Sequence, residues 1–178
     1  MPTKRPAKCY RKAPKKPYTR LEYIKSKPQP RLRILEIGKP STEFEYAALL
    51  ISMERGQILD RALEASRIAA NRYLTKHLGR GGFFMRIRPY PHNIIRETKF
   101  LGVAGADRIQ QGMKRAFGKP IDRGAIVRPN QIIFEIWVKE KHLEIAKEAL
   151  RRVNPKISVK TRLEIKPLKE MYPKMFNP

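Results

Sequence analysis

Positive charge is distributed very unevenly along this chain, and the unevenness limits what the chain can form. Its 178 residues include 40 Lys and Arg against 16 Asp and Glu, which gives a formal net charge of +24. Residues 1–33 hold 12 basic and 1 acidic side chains and residues 80–128 hold 11 and 3, whereas residues 34–79 hold six of each sign. Uniform charging for solubility would not leave a neutral stretch of this length. The two basic segments therefore favour contact with a polyanion, and phosphates are the expected partner.

The rest of the composition indicates one folded domain with basic appendages. Hydrophobic residues make up 41% of the sequence, which excludes a wholly disordered basic tail. The length excludes a large multidomain enzyme. The single Cys9 excludes an intramolecular disulfide and favours a reducing compartment, so we expect a cytoplasmic location. We expect neither a membrane-spanning segment nor a secretory signal, because no apolar run is long enough for either.

Apolar periodicity predicts strands and helices in an order typical of an α+β fold. Residues 44–51 are apolar on both faces, which predicts a strand buried inside a sheet. Residues 57–78 have helical spacing and are followed by Gly79, a typical helix end. Further predicted elements are a strand at 83–88, a strand at 132–139, a helix at 140–153 and a strand at 157–166. This order favours a single α+β domain with two main helices and a mixed or antiparallel sheet over a doubly wound parallel sheet.

Residues 1–33 are predicted to form a basic, proline-rich, extended N-terminal arm. Six of the fifteen prolines fall there, so a long helix cannot form. We expect the arm to place Arg side chains on RNA phosphates while its tyrosines stack on bases. A solvated linker or a nuclear-import-like patch is the alternative. The candidate RNA-binding residues of the arm are Lys4, Arg5, Lys8, Tyr10, Arg11, Lys12, Lys15, Lys16 and Tyr18.

Residues 102–120 are predicted to form a second site, a long glycine-rich basic loop. This segment contains four glycines and has no sustained apolar periodicity, and loops of this length are usually functional or disordered. Glycine allows a backbone to approach a ligand closely, and Arg108, Lys114, Arg115 and Lys119 would neutralise the surrounding phosphates. An inert flexible insert is the alternative.

The sequence does not bring together the residue types of a catalytic or metal site. His77, His92 and His142 are scattered with no second ligand at metal-binding spacing, so no metal or other cofactor is expected. Residues 79–82 are rich in glycine but lack the sequence of a nucleotide-binding loop. We therefore expect a protein that is not an enzyme. The alternative is an RNA-processing or RNA-modifying enzyme that uses His92 or Asp107 for proton transfer, and a DNA-compacting protein is a third possibility.

Three separated strings resemble a known protein family. They are RPAKCYR at residues 5–11, ALEASRIAANRYL at residues 62–74, and AGADRIQQGM at residues 104–113 followed by AFGKP at residues 116–120. In this order they resemble the large-subunit ribosomal protein ten-e, the archaeal and eukaryotic counterpart of the bacterial L-sixteen protein. The short segment after Pro167 and the lack of a cysteine just before AGADRIQQGM favour an archaeal member over a eukaryotic one.

The resemblance implies a hammerhead-type α+β fold and a structural role in the large ribosomal subunit. It implies binding to large-subunit ribosomal RNA near the tRNA cleft and the peptidyl-transferase region, tRNA positioning, and contacts with neighbouring ribosomal proteins and late assembly factors. Carried over by position, the tRNA-proximal loop comprises Ala104, Gly105, Ala106, Asp107, Arg108, Gln110, Gln111, Gly112, Met113, Lys114, Arg115 and Lys119. Further candidate RNA-binding residues are Arg80, Arg86, Arg88, Arg96, Lys99, Arg123 and Arg128.

These expectations divide the chain into three parts. Residues 1–33 are the arm, residues 34–168 are the RNA-binding domain that contains loop 102–120, and residues 169–178 are a short C-terminal tail.

Overall fold

The computed structural model describes residues 6–98, residue 113 and residues 117–176. The elements are, in order, β1 (Glu36–Ile37), β2 (Tyr46–Ser52), β3 (Gly56–Leu59), α1 (Asp60–Leu78), β4 (Phe84–Ile87), β5 (Asn93–Glu97), β6 (Lys119–Val127), β7 (Ile132–Val138), α2 (Leu143–Val153), β8 (Thr161–Pro167), and the single-turn helices α3 (Leu168–Met171) and α4 (Pro173–Phe176). Short 3₁₀ turns lie at Ala7–Tyr10, Leu21–Tyr23, Glu140–His142 and Asn154–Lys156.

The described strands form two antiparallel sheets. One sheet has five strands in the order β1-β4-β7-β2-β8, and the other has three in the order β3-β6-β5. Every strand pair in both sheets is antiparallel. The prediction of a single α+β domain is confirmed, with two main helices and two sheets in the part of the chain that the structure describes.

Strand β2 is buried on both faces, as its sequence predicts. It lies between β7 and β8, and six of its seven residues are at most 4% exposed. Ala48 and Leu50 contribute to a large core cluster that includes side chains of α1 and α2. Residues of the opposite face pack in a second cluster with Phe84 and Trp137. Burying each large side chain stabilises the fold by roughly 1.5–3 kcal/mol relative to leaving it exposed.

Helix α1 begins three residues later than its periodicity predicts. The prediction started at Gln57, but residues 56–59 pair with β6 as β3, from Gly56 opposite Val127 to Leu59 opposite Gly124. Pairing between distant segments has overridden local helical spacing there. The end is as predicted, because Gly79 adopts φ 73° and its N–H reaches the Thr75 carbonyl at 3.1 Å.

The last predicted strand is also shorter than its alternation suggests. The prediction placed it at 157–166, whereas β8 begins at Thr161. Ile157 and Val159 are buried in the large core cluster, but they precede the ladder and follow a 3₁₀ turn. The alternation therefore predicted the buried residues correctly, but it extended the hydrogen-bonded strand too far toward the N-terminus.

Strands β5 and β6 were not predicted. Lys119 and Pro120, placed by the sequence in the glycine-rich loop, pair with Glu97 and Arg96 as the first residues of β6. The segment between the two strands therefore ends at Gly118.

The segments before β1 and after β8 both contact the hydrophobic core. Leu32, near the end of the expected arm, is 2% exposed in the large cluster. At the other end Met171 and Tyr172 pack on the second cluster. Among the described residues no helix combines the length and the hydrophobicity needed to cross a bilayer.

Candidate nucleic-acid interface

The N-terminal arm is attached to the three-stranded sheet by the side chains of two buried polar residues. Gln57 on β3 is 5% exposed, and its backbone N–H donates to the Arg11 carbonyl at 2.8 Å. Its side-chain amide donates to the Tyr10 carbonyl at 3.0 Å. These bonds hold the first part of the arm along β3.

Asn93 on β5 holds the second part of the arm. Its side-chain oxygen accepts from the Tyr18 N–H at 2.7 Å, and the Ile94 N–H donates to the Tyr18 carbonyl at 2.9 Å. The Asn93 amide also donates to the Gln57 side chain. Each bond from Gln57, Asn93 and Ile94 to the arm uses the backbone of the arm, so none of them occupies an arm side chain.

Arg11 is paired within the protein. Its guanidinium forms an ion pair with Glu54, whose Oε1 also accepts from the Lys160 backbone N–H at 2.8 Å. The Lys160 hydrogen bond, followed by the one from Arg11, lowers the pKa of Glu54 below its usual value. A depressed carboxyl pKa means that this attachment contributes stability at neutral pH and loses it as the pH falls through the lowered pKa.

The two arm tyrosines that were predicted to bind RNA contact protein groups. The Tyr10 hydroxyl donates to Glu97 Oε2 at 3.4 Å. The Arg96 guanidinium lies 4.6 Å from the centre of the Tyr18 ring and donates to the Phe117 carbonyl at 2.5 Å. A cation over an aromatic ring contributes roughly 0.5–1 kcal/mol at a partly exposed site. Both tyrosines are half-buried. Stacking of their rings on RNA bases stays a prediction.

Two grooves flank the arm. The first, which we call the arm groove, has a volume of about 450 Å³ and is lined by Lys12, Lys16 and Arg96 together with Tyr18. The second, which we call the Arg128 groove, has a volume of about 490 Å³ and is lined by Lys15, Arg55, His92 and Arg128. Pro14 and Pro17 line both, so the arm forms the ridge between them. None of the described lining residues of either groove is acidic.

The lysines of this ridge are not neutralised within the described part of the chain. Lys12, Lys15 and Lys16 are exposed, and none of them forms an ion pair with a described residue. Arg55 donates to the Pro14 carbonyl at 3.0 Å and so fixes the ridge from the side of the Arg128 groove. Arg55 was not among the predicted RNA-binding residues, because it belongs to residues 34–79, whose charges balance. Only the tertiary structure brings it beside the arm.

Arg88 is committed to a buried carboxylate. Its guanidinium lies 2.8 Å from Oε2 of Glu135, a residue that is fully buried. Glu135 Oε1 also accepts from the Trp137 indole at 2.6 Å and from the Tyr172 hydroxyl at 2.8 Å. Burial, and then the hydrogen bond to Glu135, raises the pKa of Tyr172. This network connects β7 with Arg88, which follows β4, and with Tyr172, which follows α3.

The other predicted RNA-binding residues are spread over several surfaces. Arg86 pairs with Glu36 at 2.8 Å, and Arg123 donates to the Pro28 carbonyl at 2.8 Å. Lys8, Arg80 and Lys119 are exposed, with Arg80 beside α1 and far from the arm in the sequence. The structure thus brings together, along the two grooves, Lys12, Lys15, Lys16, Arg96 and Arg128 with Tyr10 and Tyr18. The other described RNA-binding candidates line neither groove.

Most of the predicted loop lies outside the described residues. Of its candidate site residues only Met113 and Lys119 are described. Met113 is 41% exposed, and its sulfur accepts from the Thr98 hydroxyl at 3.0 Å. The predicted residues outside the described part are Lys4, Arg5, Lys99, Ala104, Gly105, Ala106, Asp107, Arg108, Gln110, Gln111, Gly112, Lys114 and Arg115.

The described residues contain no cluster of three or more His, Cys, Asp or Glu able to hold a metal ion. His92, the histidine of the enzyme hypothesis, lies with its Nδ1 2.9 Å from the Tyr90 carbonyl.

Comparison with known proteins decides the family. The family model described as "Ribosomal protein L16p/L10e" matches residues 10–164. The chain belongs to this ribosomal protein family. The chain is similar to the "Large ribosomal subunit protein uL16" of Staphylothermus marinus, with 47% identity over 165 residues that cover 93% of this chain and 95% of the relative. The protein of the same name from Hyperthermus butylicus is 45% identical over 175 residues, covering 96% and 97%. That from Archaeoglobus fulgidus is 43% identical over 162 residues, covering 91% and 92%.

Membership in the family confirms several predictions. The chain is an archaeal-type structural protein of the large ribosomal subunit and not an enzyme, which removes the RNA-processing hypothesis. The cytoplasmic location follows from the same assignment.

Proposed function

We propose that the arm and its two flanking grooves bind phosphates of large-subunit ribosomal RNA near the tRNA cleft, and that this contact holds the protein in the subunit. The observation that carries the proposal is the position of Lys12, Lys15 and Lys16, which are exposed and unpaired among the described residues on an arm fixed by its backbone. Cations that bind phosphates displace condensed counterions, and this term supplies much of the affinity for RNA.

Attachment of the arm to the sheet favours binding for a second reason. A disordered arm must lose conformational entropy when it binds, at a cost of about 0.5–1.5 kcal/mol for each immobilised side chain in addition to its backbone. The hydrogen bonds from Gln57 and Asn93 order the arm backbone before RNA is met. Preorganisation of this kind distinguishes the arm from a solvated linker.

Replacing Lys12, Lys15 and Lys16 together by alanine is expected to weaken binding to large-subunit ribosomal RNA. The slope of log affinity against log salt should become shallower by about 2–3, because each lost phosphate contact contributes about 0.7–0.9. The measurement is an RNA titration repeated at several salt concentrations. The matched control replaces Lys25, Lys141 and Lys156, which are exposed and line neither groove. Equal slopes for the two variants would contradict the proposal.

Residues 102–118 are proposed to reach toward the tRNA cleft and to support subunit maturation and tRNA positioning. This part of the proposal is supported by the family resemblance of residues 104–113 and 116–120 and by the cations interleaved with glycine there. Late assembly factors and neighbouring ribosomal proteins are the further partners proposed.

Replacing Arg108, Lys114 and Arg115 together by glutamate is expected to impair subunit maturation or elongation while the thermal unfolding of the isolated protein stays unchanged. Charge reversal would repel the phosphates around the loop without removing a described core contact. Polysome profiles and elongation rates measure the effect. Normal values for both would refute the role of the loop.

A further inference from the structure

A third groove lies along helix α1, away from the arm. It has a volume of about 740 Å³ and is walled on one side by Ile37, Gly38 and Phe83. The other wall is the C-terminal half of α1, followed by Arg80. This α1 groove shares no lining residue with the arm groove or the Arg128 groove.

The α1 groove carries unneutralised positive charge. Arg72, Lys76 and Arg80 are exposed, and none forms an ion pair with a described residue. Arg67 also lines the groove, but Glu64 holds its guanidinium at 2.5 Å. None of the described lining residues is acidic.

Helical spacing places two of these cations in line. Arg72 and Lys76 are four residues apart, so they project from the same face of α1 about 6 Å apart along the axis. The turn at Gly79, with φ 73°, then carries the chain to Arg80 at the end of the same groove. The C-terminal end of a helix contributes about half a negative charge, which three full positive charges exceed.

The rest of the lining suits a nucleic-acid backbone more than a peptide. The Thr75 hydroxyl and the Asn71 amide oxygen lie 3.4 Å apart in the groove and offer polar contacts for ribose and phosphate. Ile68 is 44% exposed, whereas Phe83 is 1% exposed and presents no ring for stacking. A peptide helix needs several apolar anchor pockets, and base recognition in RNA needs exposed rings or base-edge contacts.

The wall opposite α1 is fixed. Gly38 adopts φ 88°, and a Cβ atom there would lie 2.5 Å from the Phe83 carbonyl oxygen. The two backbones therefore approach closely within this wall, and any side chain at residue 38 would force them apart.

We propose that the α1 groove binds the phosphate–ribose backbone of a second RNA segment, independently of base sequence, so that one protein molecule bridges two parts of a folded RNA. The proposal rests on the proposed function, in which the arm holds the first segment. Two separate cationic surfaces on one rigid domain are the arrangement that such bridging requires.

The test uses the full chain and two short RNA duplexes of unrelated sequence, one labelled with a donor dye and one with an acceptor. With protein below the RNA concentration, the unaltered chain should bring the dyes together. Replacing Arg72, Lys76 and Arg80 by alanine should abolish this energy transfer while binding of one duplex persists, with the salt slope reduced by about 2–3. Thermal unfolding of the same variant checks that the fold is retained.

The arm variant at Lys12, Lys15 and Lys16 separates this proposal from the proposed function. If both hold, each variant binds one duplex and neither bridges, while the control at Lys25, Lys141 and Lys156 bridges like the unaltered chain. If the α1 variant loses bridging but the arm variant still bridges, the arm does not hold an RNA segment, and both the proposed function and the bridging model are overturned. If the α1 variant bridges like the unaltered chain, the α1 groove does not bind RNA, and the proposed function of the arm still stands. Displacement of RNA from this groove by an acidic peptide at lower concentration than by competing RNA would assign it to a protein partner and overturn the proposal.

Discussion

Replacing Arg88 by alanine is expected to destabilise the fold by about 3 kcal/mol, because it leaves a buried carboxylate without its cation. Glu135 is fully buried, while the side chain of Arg88 is 36% exposed. The hydrogen bonds from Trp137 and Tyr172 remain and keep the cost toward the lower end of the usual range. For a domain of this size the melting temperature should fall by about 10 °C. Thermal or urea unfolding measures the effect.

A second substitution tests the cause. Adding Glu135→Gln to Arg88→Ala removes the buried charge, and the amide oxygen can still accept from Trp137. The double variant should recover about half of the lost stability, because it no longer buries an unpaired charge. If the free energy of unfolding of Arg88→Ala lies within about 0.5 kcal/mol of that of the unaltered chain, the ion pair does not stabilise the fold.

This result also affects how Arg88 is tested as an RNA-binding residue. A variant that lowers RNA binding through partial unfolding would be mistaken for one that loses a phosphate contact. The dependence of affinity on salt separates the two cases. Partial unfolding lowers the amount of RNA bound at every salt concentration but leaves the slope unchanged, because the molecules that stay folded keep all their phosphate contacts.

Replacing Phe134 by alanine is expected to cost about 3–5 kcal/mol of stability, because it opens a cavity at the centre of the large core cluster. Phe134 lies on β7, is fully buried, and pairs across the ladder with Leu50 of β2 and Ile87 of β4. The surrounding helices and strands can collapse only partly into the space. Denaturant unfolding with an unchanged dependence on urea concentration would show that the loss is in the native state.

Phe117 provides the matched control. It is 47% exposed beside the start of β6, so Phe117→Ala should change the free energy of unfolding by no more than about 0.5 kcal/mol. Similar losses for the two variants would show that Phe134 does not occupy the core position described.

The sequence alone determined those properties of the protein that depend on local pattern. Apolar residues on both faces of 44–51 predicted a doubly covered strand, and the structure places β2 between β7 and β8 with a core cluster on each face. The spacing along 62–74 and the glycine at 79 predicted the body and the end of α1. The separation of charge predicted a phosphate-binding protein, and three strings of residues were enough to identify the ribosomal family.

Only the tertiary structure decided which cations are available to an RNA partner. Arg88 and Lys15 belong to similarly basic segments, yet one is joined to a fully buried glutamate and the other stands at a groove. The chain separates Arg88 from Glu135 by 47 residues, and nothing local to either predicts that they meet. Strands β3, β5 and β6 were missed for the same reason, since their pairing is set by partners far along the chain. Local periodicity records which side of an element is buried, whereas the identity of the neighbour is fixed by long-range packing.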